Sequence, residues 1–271
     1  MADSLSSLIR AVEAADSAPL LTEAVQNLAA AREAGAIPIL IAALSYNNPG
    51  AAVAAVEGLI HLGEPAVPAL IEQLDLHNYT ARAWAIRALA GIGDPRGLVT
   101  LLGVATADFS LSVRRAAARG LGMMKWHWFP AELLEIAQEE VLEALLFVAQ
   151  QDDEWVVRYA AVVGLQALAT VVATTYPAWR SQIQAQLDQM ATQDQSAAVR
   201  ARVWLAQQQL RAGAAIPQVT DTSSPLSSTD WQVILEGLYR RKGQERLVLA
   251  EGDPRRYHEL AVAIAQNTDH P

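Results

Sequence analysis

Apolar residues recur at i, i+3, i+4 and i+7 along most of the chain, as in Ile37, Leu40, Ile41 and Leu44 and again in Val67, Leu70, Ile71 and Leu74. That spacing gathers them on one face of a 3.6-residue helix, and strand-like alternation rich in Val, Ile and Thr is missing. Ala and Leu fill most of these positions, with only 3 Phe, and both are strong helix formers. The pattern predicts an all-α protein.

The pattern also repeats itself. Asn47-Asn48-Pro49-Gly50-Ala51-Ala52-Val53 aligns with His77-Asn78-Tyr79-Thr80-Ala81-Arg82-Ala83, and each follows an equivalent helix that opens at Ala36-Ile37-Pro38 or Ala66-Val67-Pro68. Further copies start at Ser112-Val113-Arg114, at Val156-Val157-Arg158 and, more weakly, at Ala198-Val199-Arg200. Leu5 to Ala34 has the helical pattern without the turn, as expected of a terminal capping pair. Each unit reads as helix, polar turn, helix and a Gly stop, clearest at Gly93-Asp94-Pro95. A lone helical pair cannot bury both apolar faces, so the pairs stack into a right-handed α-solenoid of about six repeats spanning 1–211. The Arg that opens the second helix recurs at intervals of 32, 44 and 42 residues. The longer intervals predict insertions around Trp126–Pro130 and Thr174–Trp179, which in solenoids often mark binding surface.

Residues 212–228, with Pro217, Pro225 and a Thr/Ser-rich stretch, read as a flexible linker. Residues 229–271 read as a small helical extension, with Trp231, Ile234, Leu235 and Leu238 on one face and a second short helix opening at Asp253-Pro254. Arg240-Arg241-Lys242 makes this tail locally basic. Two readings stand for it: a cap over the last repeat, or a segment that docks on an acidic partner surface.

Charge and composition narrow the function. With 20 Lys and Arg against 29 Asp and Glu, a net charge of −9 argues against nucleic acid as the partner. The chain has no Cys, which removes disulfides, thiolate metal sites and a Cys nucleophile. Met1-Ala2-Asp3-Ser4 does not resemble a secretory signal, and Glu57, His61 and Glu64 interrupt the longest apolar run, so a cytoplasmic protein without a membrane span is expected. The five His form no metal constellation, and neither HExxH, a Gly-rich phosphate loop nor a Ser-His-Asp spacing occurs.

The recurrent Arg114, Arg158 and Arg200 read as an inter-repeat ladder in which each hydrogen-bonds or pairs with an acid of the preceding turn, such as Asp108 or Asp153. Arg82 and Arg87 differ, lying beside Asn78, Tyr79 and Trp84. Arg, Asn and aromatic faces suit a planar conjugated ligand that bears carboxylates, although Trp84 equally suits a core position.

Tyr46-Asn47-Asn48-Pro49-Gly50, Asn78-Tyr79 with Ala81-Arg82-Ala83-Trp84-Ala85-Ile86-Arg87, and Asp108-Phe109 with Ser112-Val113-Arg114-Arg115 resemble the F-type subunits of heterodimeric phycocyanobilin lyases, built from HEAT-like repeats. The resemblance covers roughly Leu8 to Arg211. It implies attachment of phycocyanobilin through a thioether to a cysteine of the phycocyanin α subunit, together with an E-type partner of similar fold. The bilin is then a substrate, no cofactor is implied, and the missing Cys belongs to the acceptor. Candidate bilin-binding residues are Asn47, Asn48, Asn78, Tyr79, Arg82, Trp84, Arg87, Asp108 and Arg114, with no residue assigned as catalytic acid or base. The Asn-His-Cys motif linked to bilin isomerisation in phycoerythrocyanin relatives is absent, so attachment without isomerisation is implied. The tail beyond Gly213 departs from the resemblance. The rival reading is a non-catalytic adaptor of the same repeat family that binds phycobiliproteins.

Overall fold

The computed structural model describes residues 2–74, 78–213 and 224–250, with side chains described for 5–74, 78–213 and 224–243. The chain divides into two compact units at Pro225 and Leu226, inside the segment expected as linker.

In the first unit the helices are α1 (Ala2–Glu13), α2 (Ala18–Ala30), α3 (Ile37–Ala43), α4 (Pro49–Leu62), α5 (Val67–Leu74) and α6 (Tyr79–Ile92). They continue as α7 (Leu98–Ala107), α8 (Leu111–Gly122), α9 (Ala131–Gln151), α10 (Trp155–Val171), α11 (Pro177–Gln193) and α12 (Ala197–Arg211). Consecutive helices pair, which makes six repeats among the described residues. The even-numbered helices form one continuous layer from α2 to α12, and the odd-numbered helices pack more loosely outside it. The α-solenoid expected from the repeats is the observed architecture.

Local chemistry sets the helix ends. Asn48 and Asn78 hold extended backbone before α4 and α6, and their side chains accept the N–H of Ala51 and Ala81. Pro49 occupies the first turn of α4, where its missing N–H costs nothing. Gly93 ends α6 at φ 69°, and a Cβ there would also meet the Met123 carbonyl oxygen at 2.7 Å. Leu40, Leu59, Leu89, Leu101, Leu121 and Leu145 are fully buried, and the first three belong to a core cluster that runs from Val12 to Ile92.

Within the even layer, small residues decide how closely helices approach. A Cβ on Gly120 would meet Ala90 at 2.5 Å, and one on Gly122 would collide with the Gly164 backbone. The α6, α8 and α10 backbones therefore touch nearly directly.

The long repeat intervals are not surface insertions. Most of their extra length lies in the outer helices, α9 with 21 residues and α11 with 17 against 8 in α5 and 10 in α7, and the 17-residue α10 adds to the second interval. The aromatic turn before α9 is core, with Trp126 and Phe129 buried and their rings 5.2 Å apart. Tyr176 and Trp179 stack at 4.1 Å at the start of α11.

The second unit shows α13 (Ser228–Ala250), longer than the segment expected from sequence. Ile234 and Leu238 are buried while Val233 and Tyr239 are exposed, as the predicted stripe requires. The helix expected from Asp253 lies outside the described residues.

Candidate functional site

The edge of the solenoid where odd helices end and even helices begin carries most of the residues singled out from sequence. Each Asp of this edge closes an outer helix: Asp108 follows α7, Asp152 follows α9 and Asp194 follows α11. Its Oδ1 accepts the N–H two residues on, from Ser110, Glu154 or Ser196. An Arg from the preceding repeat then reaches it. Arg82 pairs with Asp108, Arg114 binds Asp152 through two bonds of 2.7 and 3.1 Å, and Arg158 binds Asp194 at 2.8 and 3.0 Å.

The same guanidinium also closes its own repeat. Arg114 Nη1 donates to the carbonyls of Asp108 and Phe109, Arg158 to those of Asp152 and Asp153, and Arg200 to those of Asp194 and Gln195. The expected ladder exists, and its hydrogen bonds to Asp108 and Asp153 of the preceding turn are made, but to their carbonyls. The acid comes from the following repeat and the preceding turn supplies carbonyls. Asp153 takes part only through its backbone.

Hydrogen bonding to Asp152, set against partial desolvation, raises the pKa of Arg114, and Asp194 does the same for Arg158. Burial opposes ionisation of Asp194, yet hydrogen bonds from Arg158 and the Ser196 N–H and the charges of Arg158 and Arg200 hold its carboxyl below the usual range.

This geometry sorts the candidate residues. Asn48 is buried and spent on structure: Nδ2 donates to the Ala18 carbonyl at 2.8 Å, and Oδ1 accepts from Ala51 N–H and the Thr22 hydroxyl. Asn78 caps α6, and Arg82, Asp108 and Arg114 belong to the ladder. Asn47 is exposed in the turn before α4. Tyr79 is 67% exposed and meets Phe109, 75% exposed, edge to face at 5.7 Å. Trp84 is half-buried against the core, and the exposed Arg87 lies over its ring at 5.4 Å. A shallow depression of about 310 Å³ beside the ladder is lined by Thr106, Arg114, Phe147, Gln151 and Asp152.

Sequence reasoning missed several surface residues. Leu111 and Trp155 are exposed at the first positions of α8 and α10, where Tyr79 stands in α6. Arg115 and Arg119 are exposed on the open face of α8, and Arg119 occupies the register of Arg87. Superposing the repeats at their ladder arginines reveals both pairs. Among the described residues no group of three His, Cys, Asp or Glu is placed to hold a metal ion. No single described helix is long and apolar enough to cross a membrane; the bent pair Pro49–Leu62 and Glu64–Leu74 passes only when taken together.

Comparison with known proteins identifies this architecture. A family model for HEAT repeats matches residues 67–166. The phycocyanobilin lyase subunit beta of Pseudanabaena tenuis (strain PCC 7409) is 64% identical over 99% of this chain and 100% of its own length. The chain belongs to the phycocyanobilin lyase subunit beta family. Another member, from Nostoc sp. (strain PCC 7120 / SAG 25.82 / UTEX 2576), is 48% identical and covers 74% of this chain with 98% of itself. A solved structure of the complex of CpcE and CpcF of phycocyanin lyase from Nostoc sp. PCC7120 matches with a TM-score of 0.58 and 48% identity, covering 65% of this chain and 99% of that one. The tail, which sequence reasoning set apart from the family, is thus shared with the Pseudanabaena member, whereas the Nostoc member is a shorter chain.

Proposed function

We propose that this chain is the F-type subunit of a heterodimeric lyase that works with an E-type partner in the cytoplasm, joining phycocyanobilin to a cysteine of the phycocyanin α subunit. The observation that carries the reading is the 64% identity to a phycocyanobilin lyase subunit beta over 99% of this chain. In the reaction the acceptor thiolate forms a C–S bond at the bilin's ethylidene carbon. The double bond opens, and a proton is taken up on the tetrapyrrole side, so the product carries every atom of both reactants.

The chain has no Cys, so it cannot supply the nucleophile or hold the bilin as a thioether of its own. Its contribution is to bind the tetrapyrrole and fix it against the acceptor, turning an encounter of flexible reactants into an oriented one. Six stacked repeats suit that work, because a solenoid offers a long rigid surface to two partners at once. The bilin is substrate here and not a resident cofactor.

Co-expression tests the proposal. The acceptor α subunit, a phycocyanobilin source and the E-type chain are produced with and without this chain, and covalent bilin is read as zinc fluorescence on a denaturing gel. A fluorescent α subunit that requires both lyase chains is expected. Attachment that proceeds equally without this chain, or binding of the α subunit with no attachment, would overturn the proposal, the second outcome favouring an adaptor.

A further inference from the structure

The second compact unit, residues 226–271, is an addition to what the family has in common. The Nostoc subunit spans 74% of this chain with 98% of its own length, and a phycobilisome maturation protein of Synechococcus elongatus (strain ATCC 33912 / PCC 7942 / FACHB-805) spans 76% with 98% of its own. The Pseudanabaena subunit matches 99% of this chain and so carries the addition as well. Work shared by all of them resides in the solenoid. The second unit has work of its own.

The side chains of α13 show its kind. Ile234 and Leu238 are buried, with Trp231 and Leu235 half-buried on the same face. The opposite face is open. Val233 is 64% exposed, Tyr239 is 62% exposed and Arg240 is exposed beside it. Val233, Glu236 and Arg240 follow one another at i, i+3 and i+7, so they share one strip of the helix, and Tyr239 flanks it. Basic charge begins at its end: Arg240, Arg241, Lys242 and Arg246 fall within seven residues that hold one acid, Glu245, in a chain of net charge −9. Tyr and Arg are the side chains that most often anchor protein interfaces, and a cationic rim selects an acidic partner. Glu236 and Glu245 interrupt the run, which disfavours an anionic membrane or a nucleic acid.

A separate likeness gives the setting. A stretch of 37 residues, 14% of this chain, is 57% identical to part of the phycobilisome rod-core linker polypeptide CpcG3 of Mastigocladus laminosus. Resting on the proposed lyase reading, we propose that this stretch lies in the second unit and that Val233, Tyr239 and the basic run from Arg240 dock the lyase on an acidic surface of phycocyanin. The surface takes no part in bond formation. It holds the acceptor close, so that the solenoid meets it at a raised effective concentration.

The test uses the purified complex of the full chain with the E-type partner and reads its binding to immobilised phycocyanin by interferometry at low and high salt. Val233→Ser with Tyr239→Ala should weaken binding by about tenfold, the effect of losing interface anchors. Arg240→Glu should slow association at low salt and have little effect at high salt. Arg10→Glu, an exposed charge reversal on α1, should change neither. Attachment kinetics give the second readout: the docking variants should raise KM for the acceptor and keep kcat, the pattern of binding lost equally from ground and transition states. Thermal melts check folding, and if the double variant melts early, Arg240→Glu alone decides. Unchanged phycocyanin binding in these variants overturns the inference and leaves the lyase reading standing if attachment persists. A fall in kcat at saturating acceptor would place the residues in the reaction, and binding to phosphatidylglycerol vesicles that Arg240→Glu abolishes, with phycocyanin binding intact, would assign the surface to a membrane; either overturns the inference. A wild-type complex that neither binds phycocyanin nor attaches bilin overturns both.

Discussion

At the junction of α2 with α4 a neutral amide does what ion pairs do further along the solenoid. Asn48 joins the two repeats through the Ala18 carbonyl and the Thr22 hydroxyl, and the position that holds Arg in later repeats is Ala52. From α8 onward, Arg114 and Arg158 bridge successive repeats with bidentate carboxylate pairs, and their donors are only 16% and 15% exposed. The two solutions differ in direction: Asn48 reaches back to the first turn of α2, whereas Arg114 and Arg158 reach forward to the aspartates that end α9 and α11. Backbone spacing follows the same division. Gly91 of α6 faces the flexible end of Ile60, while Gly122 of α8 faces the backbone of Gly164. The α8–α10 junction is thus charge-locked and backbone-tight, and the contact of Gly91 with Ile60 between α6 and α4 is softer.

The sharpest way to break this comparison is to add one methyl to each half. Gly122→Ala drives a Cβ into a carbonyl that cannot move without separating α8 from α10, and a loss of about 3 kcal/mol or outright misfolding is expected. Gly91→Ala meets only a side-chain end, and its gain in helix propensity of about 1 kcal/mol offsets the crowding. Denaturant melts of both variants check this; equal losses would mean the halves are packed alike. Next in size, Asp194→Ala leaves Arg158 without its carboxylate partner and should cost about 3 kcal/mol. Asn48→Ala removes a cap and a bridge, and should cost about 1–2 kcal/mol. Similar losses in chemical denaturation would erase the distinction between the junctions.

Arg82 stands where the two chemistries meet. It has the ladder position, but its pair with Asp108 uses a single guanidinium nitrogen and its side chain is 23% exposed. Asp108 keeps the Ser110 N–H when Arg82 is removed, so Arg82→Ala should cost about 1.5 kcal/mol, less than Asp194→Ala. Its charge is already engaged, so bilin attachment at saturating substrate should continue near the wild-type rate. A folded Arg82→Ala protein that no longer attaches bilin would move Arg82 from the ladder to the ligand.

Arg82 also shows where the sequence was readable and where it was not. The helix periodicity and the six repeats follow from local pattern, because a 3.6-residue stripe carries its meaning within a few residues, whereas Asn48 and Asn78, read from sequence as bilin-binding candidates, cap α4 and α6. The ladder was legible for Arg114 and Arg158 but its partners were not, since Asp152 and Asp194 lie 38 and 36 residues downstream. A signal was present. Each of Asp108, Asp152 and Asp194 stands six residues before Arg114, Arg158 and Arg200, marking one turn geometry repeated three times. Aromatic neighbours drew attention to Arg82 as a ligand residue, while register places it in the ladder. Arg115 and Arg119 stayed hidden for the opposite reason: without the stacking of α6 on α8 they read as ordinary surface charge.

The smallest expected effect is the dependence of the two halves on acid. The folded-state pKa of Asp194 lies below that of an unfolded aspartate, about 3.9, so on acidification the unfolded chain takes up its proton first. The stability Asp194 contributes is therefore full above that unfolded value and is lost as the pH falls through its folded value. The amide of Asn48 has no proton to gain in that range, so its junction adds no slope. Melting temperature should hold steady from pH 8 to 5 on this account and decline below about 4. Asp194→Asn should start lower at neutral pH and fall less steeply in acid, because its side chain no longer titrates, while Asn48→Ala should lower the whole curve and keep the wild-type slope. Amide hydrogen exchange at two pH values would locate the change. Protection lost first in α10 and α12, with α2 and α4 unaffected, is the expected order; loss beginning at α2 and α4 would mean that the acid-sensitive junction is not the one Asp194 makes.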